Sequence, residues 1–520
     1  MTSGSLKLSF EWLLIVALSF LKLLLHLLTN THYELHRDGL LYMAQGAHMD
    51  WSFLSVPPAI ALLGNIARWL GGDSIFVIRL FPAFFGAISV MAIGHLILYL
   101  GGKRWAILLG CGAYVLSPAY LRTHTLLQPV FLDQFFWLVA TLFMIKLLKS
   151  QNTHYWLYLH ITWSLAFWAK YNIIFLIFAF IIALLLSPKR SLIASRHFWQ
   201  GACATMFIVL PILLWQYRHN FPVVYHMTHL RETQLLNVRI SDFIMGQLLM
   251  NIPGILIWLS GALFLLFDRE GRQLRVIGFT FLIVMSLYLV ASGKGYYTLG
   301  IYPVLLVAGG LAIEKRFTAG IPIIKPIMAV MMILIALPIM PFSLPLLPLD
   351  QMAYFCEKSK PLLGDGALRW EDGRVYPLPQ DYADMTGWRE LGSLVGKAYQ
   401  GLSPDERKQS MVFTENYGQA GAIAFYGKAY GVPEPVSFDE SFLFWAPDSC
   451  NSQILFYVNN DTTDVTKFFT TVELIGRIQD PYARESGLPV WICRGPRNGF
   501  ARFYADKSSS LKNQFRRSNP

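Results

Sequence analysis

Apolar residues in this chain run unbroken over lengths that neither a helix face nor a strand period requires. The longest are WLLIVALSFLKLLLHLL from Trp12, YNIIFLIFAFIIALLL from Tyr171 and MAVMMILIALPIM from Met328. An amphipathic helix of a soluble protein breaks such runs with polar residues at every turn, whereas about 20 consecutive apolar residues cross the hydrocarbon of a bilayer. The pattern predicts a polytopic α-helical membrane protein with about eleven transmembrane helices. They fall near 9–29, 75–100, 104–121, 128–148, 154–170, 172–187, 198–216, 250–267, 275–292, 298–313 and 321–345. Between the fifth and sixth, AFWAKYNIIF reads as either a turn or a kink. The first apolar stretch is longer than the ~7–15 residues of a signal-peptide core and is read as a retained helix.

After residue 345 the pattern changes to charges, Gly and Pro turns, and short β-like runs such as SQILFYVNN and GLPVWICRG. This predicts three parts: a transmembrane domain over 1–345 with two long external loops, 30–74 and 217–249; a soluble α/β domain over 346–500; and a basic, disordered tail over 501–520. No pair of broken helices recurs in the two halves, as an inverted-repeat transporter requires.

Composition agrees: 54% of residues are hydrophobic and 14% charged, against about 25% charged in soluble domains. The net charge of +11 does not point to nucleic acid, because many basic residues flank the apolar runs. Lys103-Arg104, Lys189-Arg190, Arg269, Arg272, Arg275 and Lys315-Arg316 all fall on the cytoplasmic side if the N-terminus does. Both long loops, the turn at Lys294 and everything after about residue 346 are then extracytoplasmic. Of five cysteines, Cys450 and Cys493 have the spacing for a disulfide in an oxidising compartment, which spacing alone does not establish.

Charged residues beside apolar runs carry the candidate chemistry. Asp38, in HYELHRDGLLYMAQGAHMDW, precedes Leu40, Leu41, Met43 and Ala44, a pattern for a helix lying on the membrane surface with Asp38 near its N-terminus. It reads equally as a solvated loop carboxylate or as a group placed to accept a proton or hold a metal. Asp133, in LLQPVFLDQFFW, starts a span on the same side, and a charge in such a place costs ~2.5 kcal/mol or more unless it meets a partner or polar cavity. Lys170 and Lys294 lie at that surface too, where a lone lysine commonly snorkels. Lys294 is bracketed by Gly293 and Gly295, expected to free the backbone, and followed by the hydroxyls of Tyr296 and Tyr297, a combination suited to phosphate. Arg218, His226, His229 and Arg231 lie in the second external loop; the histidines have i, i+3 spacing but no evident third metal ligand.

Taken together, these segments resemble the C-type glycosyltransferases of the dolichyl-phosphate-mannose–protein mannosyltransferase and lipid A aminoarabinose transferase superfamily, closest to its bacterial branch. HRDGLLYMAQGAHMDWSFLSVPPAIALL is similar to the first external loop, and SIFVIRLFPAFFGAI, with Arg79, Leu80 and Pro82, to the second span. LQPVFLDQFFW resembles the second acidic motif, LAFWAKYNIIFL the lysine-bearing segment, and KGYYTLGIYPVLLVAGG the Lys-x-x-Tyr element. TENYGQAGAIAFYGKAYGVPEPVSFDESFLFWAP resembles a stretch common after the last span of bacterial members. The order and spacing of these elements over 30–310 carry the match. Many relatives have Asp-Glu in the first motif; here Gly39 follows Asp38, which must act without the second carboxylate.

The resemblance implies a polyprenyl-phosphate sugar donor and a lipid, glycan or protein acceptor, joined on the extracytoplasmic side of a bacterial inner membrane. Asp38 is then the base and Asp133 an orienting carboxylate. Lys294 and Tyr297 hold the donor phosphate, with Lys170 and Arg231 as helpers. No cofactor is implied with certainty, and a divalent metal is left open. Two readings from other classes stand beside it: a multi-span lipid or solute transporter, and a non-catalytic glycan-assembly protein on the same fold.

Overall fold

The computed structural model describes residues 9–233, 235, 239–317 and 321–516. Within them the chain forms two compact units, each drawn from separate parts of the sequence. The first comprises 1–30, 79–211 and 230–346; the second comprises 31–78, 212–229 and 347–520.

The first unit is helical. Each of the eleven apolar segments forms a helix, but among the described residues only seven are long and apolar enough to cross a membrane alone. An eighth span is obtained if Ile240–Leu249 and Ile252–Phe267 are taken together, although they meet at 73°. The shorter segments are Arg104–Leu116, Tyr155–Ala169 and Ile173–Leu185. AFWAKYNIIF is a break between two helices: the backbone turns extended at Lys170 (φ −163°, ψ 136°) and helix resumes at Ile173. Side chains such as Ile107, Trp137, Leu176, Ile257 and Leu305 form one continuous core. A lysine inside the first span is satisfied locally: buried Lys22 donates to the Tyr120 carbonyl oxygen at 2.9 Å.

The second unit contains a five-stranded mixed sheet. Its strands are β1 (Ser410–Thr414), β2 (Val436–Ser437), β3 (Ile454–Val458), β4 (Phe469–Arg477) and β5 (Pro489–Pro496), in the order β2-β1-β3-β5-β4. β1 is parallel to β2 and β3, while β5 runs antiparallel to β3 and β4. The runs SQILFYVNN and GLPVWICRG are β3 and β5; every residue of β3 is buried, as expected of a central strand covered on both faces.

Two expectations change here, and the pairing of Cys450 with Cys493, left open by the sequence, is decided. The tail is not disordered from 501, because Phe500–Asn513 is a helix that buries Phe500, Tyr504 and Ser508. Its basic composition hides a buried stripe at i, i+4 and i+8, aromatic at its first two positions. Cys450 and Cys493 are both free thiols buried in the same core, with Cys450 Sγ lying 3.7 Å from Met411 Sδ. The 346–500 domain is also incomplete as drawn, since 31–78 and 212–229 belong to the same compact unit.

Candidate functional site

Two polar clusters hold most of the candidate residues, one in each unit. In the second unit, Asp38 lies in the first turn of the helix Arg37–Ala47. His36 caps that helix, its Nδ1 accepting from the Asp38 amide at 3.1 Å. Residues 39–46 are all buried, so this is not a helix on the membrane surface. Its apolar residues meet protein, with helices Ala59–Gly71 and Tyr417–Tyr426 packed against it. Two glycines permit that approach. A Cβ on Gly46 would stand 2.8 Å from the Ala61 carbonyl oxygen, and one on Gly421 would stand 2.9 Å from Leu40 Cβ. The exposed large apolar side chains of this loop are instead Met49 and Trp51 beyond that helix, and Leu62, Trp69 and Leu70 of the helix Ala59–Gly71.

Helix Tyr417–Tyr426 belongs to the TENYGQAG segment and completes the surroundings of Asp38. The Tyr417 hydroxyl donates to Asp38 Oδ1 at 2.8 Å, and the Arg37 guanidinium lies 4.5 Å from the centre of the Tyr417 ring. Burial and the charge of Asp38 push the Tyr417 hydroxyl pKa well up, so it stays a donor. The Tyr417 amide donates to Asp439 Oδ2 at 3.0 Å. The next residue, Glu440, has φ 51°, an uncommon conformation for a residue with a side chain. Its carboxyl lies 3.4 Å from His226 Nδ1, and burial, reinforced by the Asp439 charge, pushes its pKa up to about 8. Ser441 fastens the loop, its Oγ accepting from Gln45 Nε2 at 3.1 Å and from the Leu54 amide at 3.3 Å.

On another side of the cap, His36 Nε2 lies 3.8 Å from both Asp381 Oδ1 and Asp384 Oδ2. Asp384 is buried, faces Arg484 Nη1 at 3.3 Å, and gives its backbone carbonyl to the Arg37 amide at 3.0 Å. Burial raises the Asp384 pKa despite these cations. Burial also opposes charging of His36, but the surrounding carboxylates of Asp381, Asp38 and Asp384 outweigh that and raise its pKa.

In the first unit, Asp133, Lys170, Lys294 and Tyr297 come together. Asp133 is buried; its Oδ2 accepts from Asn172 Nδ2 at 2.7 Å, and the same amide donates to the Tyr297 carbonyl at 3.1 Å. Tyr288 donates its hydroxyl hydrogen to Asn172 Oδ1. Lys170 Nζ stands 4.6 Å from the Tyr297 ring centre and 5.5 Å from that of Tyr296, under the influence of both Asp133 and Lys294. Lys294 caps the 3-10 helix Gly295–Ile301 in an extended conformation. The positive φ in this turn belongs to Ser292 (50°), not to either glycine. Gly293 is needed for space, because a Cβ there would fall 2.6 Å from the Tyr288 ring. Gln247 holds the turn, donating to the Gly295 carbonyl at 3.2 Å and accepting from Thr298 at 2.7 Å.

Arg231 is exposed near the end of the helix Pro222–Thr233, and among the described residues no hydrogen bond or ion pair joins it to Asp133. Sequence reasoning missed His36, Arg37, Asp381, Asp384, Tyr417, Asp439 and Glu440 as members of the Asp38 cluster. The segment holding Tyr417, Asp439 and Glu440 was visible through its resemblance, whereas Asp381 and Asp384 gave no signal.

Residues 55–215 match the sequence model of the dolichyl-phosphate-mannose-protein mannosyltransferase family. No curated protein matches the chain in sequence. Sixteen solved chains match in structure. Among them are crystal structures of ArnT from Cupriavidus metallidurans, bound to undecaprenyl phosphate and in the apo state. Each aligns with a TM-score of 0.62 at 12% identity, over 92% of this chain and 97% of ArnT. The chain therefore has the C-type glycosyltransferase fold of ArnT, in a multi-pass membrane protein that resembles both ArnT and the mannosyltransferases.

Proposed function

We propose that this protein transfers a sugar from a polyprenyl-phosphate donor to a lipid, glycan or protein acceptor on the extracytoplasmic side of a bacterial inner membrane. The observation that carries the reading is the setting of Asp38: a carboxylate at a helix N-terminus, fixed by the Tyr417 hydroxyl at 2.8 Å. A positioned carboxylate of this kind is what a general base requires. The likeness to ArnT, solved with undecaprenyl phosphate, supports the donor class.

In this reaction Asp38 takes the proton of an acceptor hydroxyl as its oxygen attacks the anomeric carbon. The bond from that carbon to the phosphate oxygen breaks, and the lipid phosphate leaves with the electron pair. Lys294, Lys170 and Tyr297 answer the charge that builds on the phosphate, where preorganised cations act most strongly in the transition state. Asp133, buried, works through Lys170 and Asn172 as a positioning residue. Arg231 keeps at most an outer role. An acceptor that is itself a phosphate needs no deprotonation, and Asp38 then orients it.

The test uses purified full-length protein with an undecaprenyl-phosphate sugar and a hydroxyl acceptor. Asp38→Asn preserves size and removes the base, so the rate should fall at least ~10²-fold. Lys294→Ala should raise the donor concentration required by about tenfold, the loss of one charge-assisted bond. Near-normal transfer by Asp38→Asn would overturn its assignment as base.

A further inference from the structure

In the His36–Asp381–Asp384 cluster, Asp384 is held by Arg484, but the inner nitrogen of His36 meets its two carboxylates at more than hydrogen-bond distance. His36 is almost wholly buried, and its Nε2 has no hydrogen-bond partner. The nearest oxygens, one from each carboxylate, both stand 3.8 Å away. That is too long for N–H···O bonds, which fall at about 2.7–3.2 Å. It is close to the spacing of two ligand atoms around one metal ion: bonds of about 2.0–2.2 Å at a tetrahedral angle separate the ligands by roughly 3.4 Å. One ligand atom from each residue lies within 4.8 Å of the other two. We propose that His36, Asp381 and Asp384 bind a divalent transition-metal ion, zinc or manganese, which ties the Asp38 helix to the segment 381–384.

The choice of ion follows from the donors. An imidazole with two carboxylates suits zinc or manganese, whereas calcium and magnesium prefer all-oxygen shells. The local charge suits a dication as well. The carboxylates of Asp38, Asp381 and Asp384 gather around one imidazole, opposed by Arg37 and Arg484. Coordination through Nε2 moves the imidazole proton to Nδ1, so the cap bond from the Asp38 amide is given up on loading and Nδ1–H turns towards Asp38 Oδ2, 3.9 Å away in this structure. A metal-bound histidine commonly gives its other N–H to a carboxylate, and Asp38 is the carboxylate in reach. The ion would therefore also orient the carboxylate assigned as base. Its binding does not depend on the reaction proposed above.

The test is metal content and thermal stability of the purified full-length protein in detergent, stripped with a chelator and titrated with zinc or manganese chloride. Wild type should retain about one ion per chain through gel filtration and melt at a higher temperature when loaded. Asp381→Asn removes a half-exposed ligand. His36→Asn removes the imidazole while an asparagine still caps the helix. Both should keep the wild-type elution and helicity but hold under about a tenth of an ion per chain, with no shift in melting on titration. Asp38→Asn should still load, which separates a failure of this site from a failure of the proposed reaction. A wild type that retains no ion, or ligand variants that load as it does, would overturn the proposal.

Discussion

Tyr417 carries no charge and lies hundreds of residues from Asp38 in sequence, yet its hydroxyl fixes that carboxylate. Tyr417→Phe keeps the ring beneath Arg37 and removes only the donor. A hydrogen bond to a charged group is worth about 1.5–3 kcal/mol, so the transfer rate should fall about tenfold or more while the fold survives. A rate equal to wild type would show that Asp38 is positioned by its helix alone. Glu440 gives a second prediction, on stability. Its folded pKa of about 8 is above the ordinary carboxyl value, so the folded state holds a proton that the unfolded chain has released. Stability should therefore fall as pH rises from the ordinary carboxyl range towards 8, by at most about 1.4 kcal/mol per pH unit. Glu440→Gln should flatten that slope; an identical pH profile of melting temperature in the variant would refute it. What was legible at this scale follows from contrast. Asp38, Asp133, Lys170 and Lys294 stand out because charge is rare beside apolar runs. Tyr417, Asp384 and Glu440 sit in a soluble stretch where such residues are ordinary, and only contact distinguishes them.

Elements were legible where length and hydropathy decide them. All eleven apolar segments became helices, and the break at Lys170 was marked in the sequence, though its form was not. Burial was less readable. Leu40, Leu41, Met43 and Ala44 signal an apolar surface without saying whether lipid or protein covers it, and here the cover is the helix Tyr417–Tyr426. The glycines had the same ambiguity: Gly293 resembles a conformational glycine in sequence but serves the Tyr288 ring. Gly46 tests this packing directly. Alanine there would put a Cβ 2.8 Å from the backbone at Ala61 and Asn65, which cannot give way as a side-chain tip can. Overpacking of this kind costs about 1–3 kcal/mol, so Gly46→Ala should lower the melting temperature and, by shifting the Asp38 helix, reduce transfer. Unchanged melting would mean that the two helices separate freely and that close packing does not hold Asp38 in place.

At the scale of the whole molecule, local composition marked the change from apolar runs to a mixed α/β segment after residue 345 but not which loops join the C-terminal unit. Hydropathy is a property of neighbours in sequence, whereas the membership of 31–78 and 212–229 is a matter of contacts. That grouping bears on topology, because residues of one compact unit outside the bilayer must lie on one side of the membrane. By the Lys/Arg bias of the short loops, Lys103-Arg104 and Lys315-Arg316 are expected inside and the C-terminal unit outside. Two exposed positions test this in a variant with Cys203, the one exposed native cysteine among the described residues, changed to serine. Asp405→Cys, in the C-terminal unit, should react with a membrane-impermeant maleimide in intact spheroplasts. Lys103→Cys should react only after permeabilisation. The reverse pattern would place Asp38 and the whole second unit in the cytoplasm, where nucleotide sugars are at hand and a polyprenyl-phosphate donor loses its rationale. Labelling of both positions from outside would instead break the assigned alternation of spans between residues 103 and 405, and the broken pair Ile240–Leu249 and Ile252–Phe267 would then be the first place to look for a segment that enters and leaves on one side.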